Sequence, residues 1–152
     1  MQKVLITYFT SSGKTEMMAE FIAEGVRFSG QQAVVKKLSE IEKPEEISGY
    51  DGYIIGSPTY SLDIPNPVKT FLTRLKDINL AGKLIGAFGP YLHDASYQHD
   101  SHAPAIILDT IEQVNQMKPF DLGALSLRED MLETREGMKA CQDYGRAFGQ
   151  QL

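Results

Sequence analysis

The strongest constraint in this chain is a repeated alternation of short apolar runs with helix-period segments. Val4-Leu5-Ile6-Thr7-Tyr8-Phe9 is rich in strand formers and leaves no room for a helix before the next turn. Residues 15–29 then read as a helix, with Met18, Ile22, Gly25 and Val26 on one face. A second strand spans 33–38. The polar stretch 39–49 carries Pro44 and reads as a loop with one helical turn. Tyr50 to Gly56 forms a third strand. A helix opened by Pro65 or Pro67 follows, with Val68, Phe71, Leu72 and Leu75 at helical spacing. Leu84 to Gly89 forms a fourth strand, 90–102 a long polar loop, and Pro104 opens a helix that turns Ile107, Ile111 and Val114 inward. Ala124-Leu125-Ser126-Leu127 lies in a fifth strand, and the last helix spans about 134–151.

Strands separated in this way cannot be hairpin partners, so the expected sheet is parallel. Strands 1, 3 and 4 are apolar at successive positions, as central strands covered on both faces must be. The expected architecture is α/β: a doubly wound three-layer sandwich with a five-stranded parallel sheet. At 152 residues the chain suits one domain, 1–152. Ligands of such folds bind at the carboxyl ends of the strands, where strand order reverses. That selects the loops 10–15, 57–66 and 90–102.

Composition excludes several functions. With 15 Lys and Arg against 20 Asp and Glu, the formal charge of −5 argues against nucleic-acid binding. The single cysteine, Cys141, can form no internal disulfide and no cysteine-based zinc site. It shares a helix face with Met138, Gly145 and Phe148 and reads as a packing thiol. The first apolar run is too short for a signal core or a membrane span. A cytoplasmic protein without membrane contact, monomeric or weakly dimeric, is the expectation.

The loop Thr10-Ser11-Ser12-Gly13-Lys14-Thr15 places four hydroxyls, a glycine and a lysine at a helix N-terminus. Unpaired N–H groups and the positive helix end add to them, which is chemistry suited to phosphate. The alternative is a plain N-cap turn. A nucleoside-triphosphate loop would need a glycine where Tyr8 stands, and no dinucleotide fingerprint is present.

The stretch from Ile6 to Ile22 resembles the flavodoxin signature, with Thr7 in place of the usual apolar residue. Tyr50 to Tyr60 is similar to the third strand and second flavin loop of flavodoxin-like proteins, and Gly137 to Arg146 to their last helix. The resemblance implies strand order 2-1-3-4-5 and a noncovalent FMN cofactor. It implies that Thr10, Ser11, Ser12, Gly13 and Thr15 hold the phosphate, with Lys14 either adding charge or lying solvated. Pro58, Thr59, Tyr60 and Ser61 would line one side of the flavin ring, and Gly89, Pro90 and Tyr91 the other. With no tryptophan in the chain, Tyr60, Tyr91 and Tyr97 are the available stacking rings.

The resemblance further implies electron transfer between redox partner proteins, a reductase and an acceptor. The alternatives are an FMN-dependent NAD(P)H:quinone or flavin reductase, and a flavin-binding regulatory module without turnover. The second loop, Ser61-Leu62-Asp63-Ile64, lacks the glycine whose peptide can flip toward the flavin. A positive φ costs other residues roughly 1 kcal/mol or more, so strong stabilisation of the half-reduced flavin is not expected. His93, His99 and His102 lie in the third loop with Asp94 and Asp100. They read as a solvated polar loop. The other readings are a pH-responsive histidine beside the flavin and a metal site, for which a loop supplies no regular ligand geometry; no metal is expected.

Overall fold

The computed structural model describes residues 1–59, 64–91 and 103–152, except the side chain of Val114. Its elements in chain order are β1 (Lys3–Tyr8), α1 (Lys14–Phe28), β2 (Gln32–Lys37), β3 (Gly52–Gly56), α2 (Asn66–Arg74), β4 (Leu84–Tyr91), α3 (Ala103–Asn115), β5 (Lys118–Arg128) and α4 (Arg135–Gln151). The strands form one five-stranded sheet, order β2-β1-β3-β4-β5, with every pairing parallel. The order reverses between β1 and β3, which are neighbours in the sheet. Instead of one helical turn, two 3-10 turns, Leu38–Glu40 and Pro44–Ile47, connect β2 to β3.

Strand alternation sorts the core into two layers. Val4, Ile6 and Tyr8 of β1, Ile54 of β3 and Phe88 of β4 pack with Met18, Ile22 and Val26 of α1 and Cys141, Tyr144 and Phe148 of α4. Leu5, Tyr53, Ile55, Ile85 and Ala87 face the other way, against Val68 and Leu72 of α2 and Ile107 and Ile111 of α3. Of the helix faces expected from periodicity, Met18, Ile22, Gly25, Val26, Val68, Leu72, Leu75, Ile107 and Ile111 are buried and Phe71 is half-buried, while the Val114 side chain lies outside the described residues. At Gly25 and Gly145, α1 and α4 approach so closely that no side chain fits between them. A Cβ on Gly25 would land on the Gln142 carbonyl, and one on Gly145 on the Ile22 carbonyl.

Strand boundaries differ from the sequence reading: β3 begins at Gly52 rather than Tyr50, and the larger differences are in β4 and β5. β4 continues through Pro90 and Tyr91, which pair with Leu127 and Arg128 rather than opening a loop. β5 begins at Lys118, well before Ala124. Its first half is hidden in sequence because Pro119, Asp121 and Gly123 interrupt the apolar pattern. There the ladder slips: Ile85 aligns with Pro119 but Ala87 with Ala124. The Tyr144 hydroxyl fills the gap, donating to the Gly123 carbonyl at 2.6 Å and accepting from the Ala87 N–H at 3.2 Å. An α4 side chain thus replaces ladder bonds that the bulge removes.

Thr7, the polar member of β1, is 2% exposed, and among the described residues its Oγ1 has no hydrogen-bond partner. It borders a small void with Ile55, Phe71, Leu75 and Ile85. A buried unsatisfied hydroxyl costs about 1–3 kcal/mol, and valine has nearly the same shape. Thr7→Val is therefore expected to raise the unfolding free energy by about 1 kcal/mol in urea denaturation. An unchanged or lower midpoint would show that the hydroxyl is satisfied in solution.

Cys141 is fully buried, and desolvation pushes its thiol pKa up to about 12. At pH 8 the thiolate fraction is then about 10⁻⁴, and it is the thiolate that reacts. Native protein should leave Ellman's reagent unreacted over an hour and release one thiol equivalent in denaturant. Rapid native labelling would contradict the burial.

Candidate functional site

Because the sheet is parallel, the strand ends relevant to binding share one edge. Tyr8, Gly56 and Phe88 lie on one rung across β1, β3 and β4. Thr10, Pro58 and Pro90 therefore each stand two residues beyond a common level. The ladder extends past this rung: Phe9 N–H donates to the Gly56 carbonyl (3.1 Å) and Ser57 N–H to the Phe88 carbonyl (3.0 Å). Strand order reverses between β1 and β3, so the first loop and the Pro58 segment meet at the crevice where such sheets bind ligands.

Gly13 is the N-cap of α1 and adopts the left-handed conformation (φ 88°), which its missing Cβ permits. Its N–H is taken by Thr10 Oγ1 at 2.9 Å, which closes the loop. No side chain caps the helix. Met17 N–H donates to the Gly13 carbonyl, but among the described residues the N–H groups of Ser11, Ser12, Lys14, Thr15 and Glu16 meet no acceptor. Open space surrounds Gly13 on its Cβ side. The result is a set of N–H donors at the positive end of a helix, chemistry that suits an anion. It differs from a plain N-cap turn, in which a side chain would take one of the helical N–H groups.

The other residues of this loop have distinct settings. Thr15 is 1% exposed, whereas Ser11 and Ser12 are exposed. Lys14 reaches Glu133 at 3.3 Å, an exposed pair of small energetic weight, which leaves its charge at the loop. Tyr8 donates to Glu16 Oε1 at 3.0 Å. Burial, reinforced by that carboxylate, holds the Tyr8 phenol well above its usual pKa, so it stays protonated. Tyr8–Glu16 and Lys14–Glu133 are partners that sequence reasoning missed; nothing in local spacing marks Glu133, which is 119 residues from Lys14.

On the other side, Ser57 is fully buried and its Oγ donates to the Pro58 carbonyl at 2.8 Å. Pro58 and Thr59 are half-buried. Thr59 Oγ1 accepts the Ala103 N–H at 2.9 Å, so it ties the segment after β3 to the start of α3. Gly89 sits against the residue that follows β3: a Cβ there would meet the Ser57 carbonyl. Pro90 is buried and Tyr91 half-buried, both held in β4. Tyr60, Ser61 and Tyr97 lie outside the described residues, as do Leu62, Asp63 and the three histidines with Asp94 and Asp100. No cluster of metal-ligating side chains occurs among the described residues. Nor, among them, is any helix long and apolar enough to cross a membrane.

Fold and edge together define a flavodoxin-like domain, and the chain belongs to the flavodoxin family. The model of the flavodoxin domain matches residues 5–137. The chain is similar to an NAD(P)H dehydrogenase (quinone) of Gluconacetobacter diazotrophicus, at 30% identity over 65% of this chain and 59% of that protein. This match thus spans only about three fifths of its relative's length. A protein of Thermosynechococcus vestitus named as a diflavin flavoprotein is 32% identical over 99% of this chain and 25% of its own. The crystal structure of oxidised flavodoxin 2 from Bacillus cereus superimposes with a TM-score of 0.84, at 26% identity and 99% coverage of both chains.

Proposed function

We propose that this chain binds FMN noncovalently and carries electrons between redox partner proteins, one a reductase and the other an acceptor. The observation that carries the reading is the set of N–H groups of Ser11, Ser12, Lys14, Thr15 and Glu16, which meet no acceptor among the described residues, at the carboxyl edge of the sheet. Flavin chemistry supplies one-electron transfer; the chain binds and orients the cofactor. In this reading Thr10, Ser11, Ser12, Gly13, Lys14 and Thr15 take the phosphate. Pro58, Thr59, Tyr60 and Ser61 flank one side of the ring and Gly89, Pro90 and Tyr91 the other, with Tyr60, Tyr91 and Tyr97 the available stacking rings. Extension of β4 through Tyr91 gives that second wall a sheet's rigidity, which supports a ring held in fixed orientation.

The named quinone-reducing relative favours a second reading, an FMN-dependent NAD(P)H:quinone reductase. Absorbance of protein purified without added cofactor tests the shared premise: flavin bands are expected, with FMN rather than FAD released on denaturation. Steady-state NAD(P)H oxidation with a soluble quinone then separates the readings. The carrier should turn over negligibly until a reductase is added. Rapid turnover by the chain alone would overturn the carrier reading in favour of the enzyme.

A further inference from the structure

A concavity lies between α2 and the 3-10 turns after β2, and none of the residues Thr10 to Thr15 lines it. It encloses about 370 Å³, within the range of about 300–1,000 Å³ usual for small-molecule sites. Pro67, Thr70, Phe71 and Arg74, on one stripe of α2, form one wall with Leu75 just beyond its end. Leu38, Ile41 and Ile47 form the opposite wall, and Phe9 closes the floor. None of the residues assigned to the flavin lines it.

Its lining is apolar except at the mouth, where Ser39 and Thr70 offer hydroxyls and Lys43 and Arg74 offer charge. No carboxylate lines it. Among the described residues neither cation forms an ion pair or a side-chain hydrogen bond. Of the nearby acids, Glu40 accepts the Lys37 N–H at 2.8 Å and Glu46 the Glu42 N–H at 2.9 Å, while Glu42 and Glu45 are exposed and do not line the cleft. The cleft thus pairs an apolar lining with two cations that form no ion pair among the described residues. It complements a molecule with an apolar body and one anionic end.

We propose that this cleft binds a small amphiphilic carboxylate, its apolar body against Phe9 and Phe71 and its carboxylate between Lys43 and Arg74. Arginine offers the forked donor pair that a carboxylate takes, and lysine a second charge. The proposal does not depend on the flavin reading.

The test is a ¹⁵N–¹H NMR titration of the full chain with octanoate, octylamine and 1-octanol. Octanoate should shift resonances of residues 38–47 and 67–75 saturably. It should bind about tenfold tighter than octanol, the scale of two solvent-exposed charge contacts. The double variant Lys43→Gln/Arg74→Gln should bind octanol unchanged, which also reports an intact cleft, and lose the tenfold preference. The proposal is overturned by any of three results: octylamine binding as well as octanoate, a preference that survives in the double variant, or octanoate shifts centred on Thr10–Thr15 rather than the cleft.

Discussion

Gly25→Ala is expected to destabilise the protein by about 3 kcal/mol or more, although alanine is the better helix former. Helix propensity alone would favour the change by about 1 kcal/mol. Packing opposes it more strongly. The added methyl would land on the Gln142 carbonyl of α4, and the reciprocal Gly145→Ala would strike the Ile22 carbonyl of α1. These obstacles are backbone rather than flexible side-chain tips, so the helices must separate along a contact that also holds Met18, Ile22, Cys141 and Phe148. Overpacking a core costs about 1–3 kcal/mol and occasionally more; a backbone collision belongs at the upper end. For a chain of this size the melting temperature should fall by about 6–12 °C. The measurement belongs on flavin-free protein, because bound ligand adds to apparent stability. Glu20→Ala, at an exposed position of the same helix, is the control and should stay within about 0.5 kcal/mol. An unchanged midpoint for Gly25→Ala would show that the two helices part at no cost.

The second large effect concerns the cofactor. If the N–H groups of Ser11, Ser12, Lys14, Thr15 and Glu16, which meet no acceptor among the described residues, receive a phosphate, FMN should bind at least about a hundredfold more tightly than riboflavin. A hydrogen bond to a charged group contributes about 1.5–3 kcal/mol, and such contributions overlap, so about 3 kcal/mol is a lower expectation. Thr15→Ala should weaken FMN by about 1–3 kcal/mol and leave riboflavin unaffected. Riboflavin matters as the comparison because Thr15 is also buried, and a purely structural loss would weaken both. Flavin fluorescence quenching gives both dissociation constants. Equal constants for FMN and riboflavin would show that the cradle does not hold the phosphate.

Much of this architecture is legible in the chain because its signals are local. Strand runs, helix periods and their alternation require a parallel doubly wound sheet, and periodicity already turns Met18, Ile22, Val68 and Ile107 inward. The glycine and hydroxyls of Thr10–Thr15 mark a candidate anion loop for the same reason: turn chemistry is written in neighbouring residues. The sequence also singles out Thr7 as the polar residue of an apolar strand, but not its lack of a partner. That depends on which residues of α2, β3 and β4 surround it.

Contacts between distant segments were decided by tertiary structure alone. Pro90 and Tyr91 look like the start of a polar loop, yet β5 supplies ladder partners that keep them in strand conformation. The first half of β5 has no clear pattern of its own and exists because β4 pairs with it while Tyr144 bridges its bulge. Likewise, Gly25 and Gly145 read as ordinary interior helix glycines until α1 and α4 are seen in contact. Lys43 and Arg74 are unremarkable surface cations until the turns after β2 fold over α2 and close a cleft between them. The physical reason is common to all four: a residue's own neighbours set its conformational preference, whereas its partners across the fold set the space and the hydrogen bonds left to it.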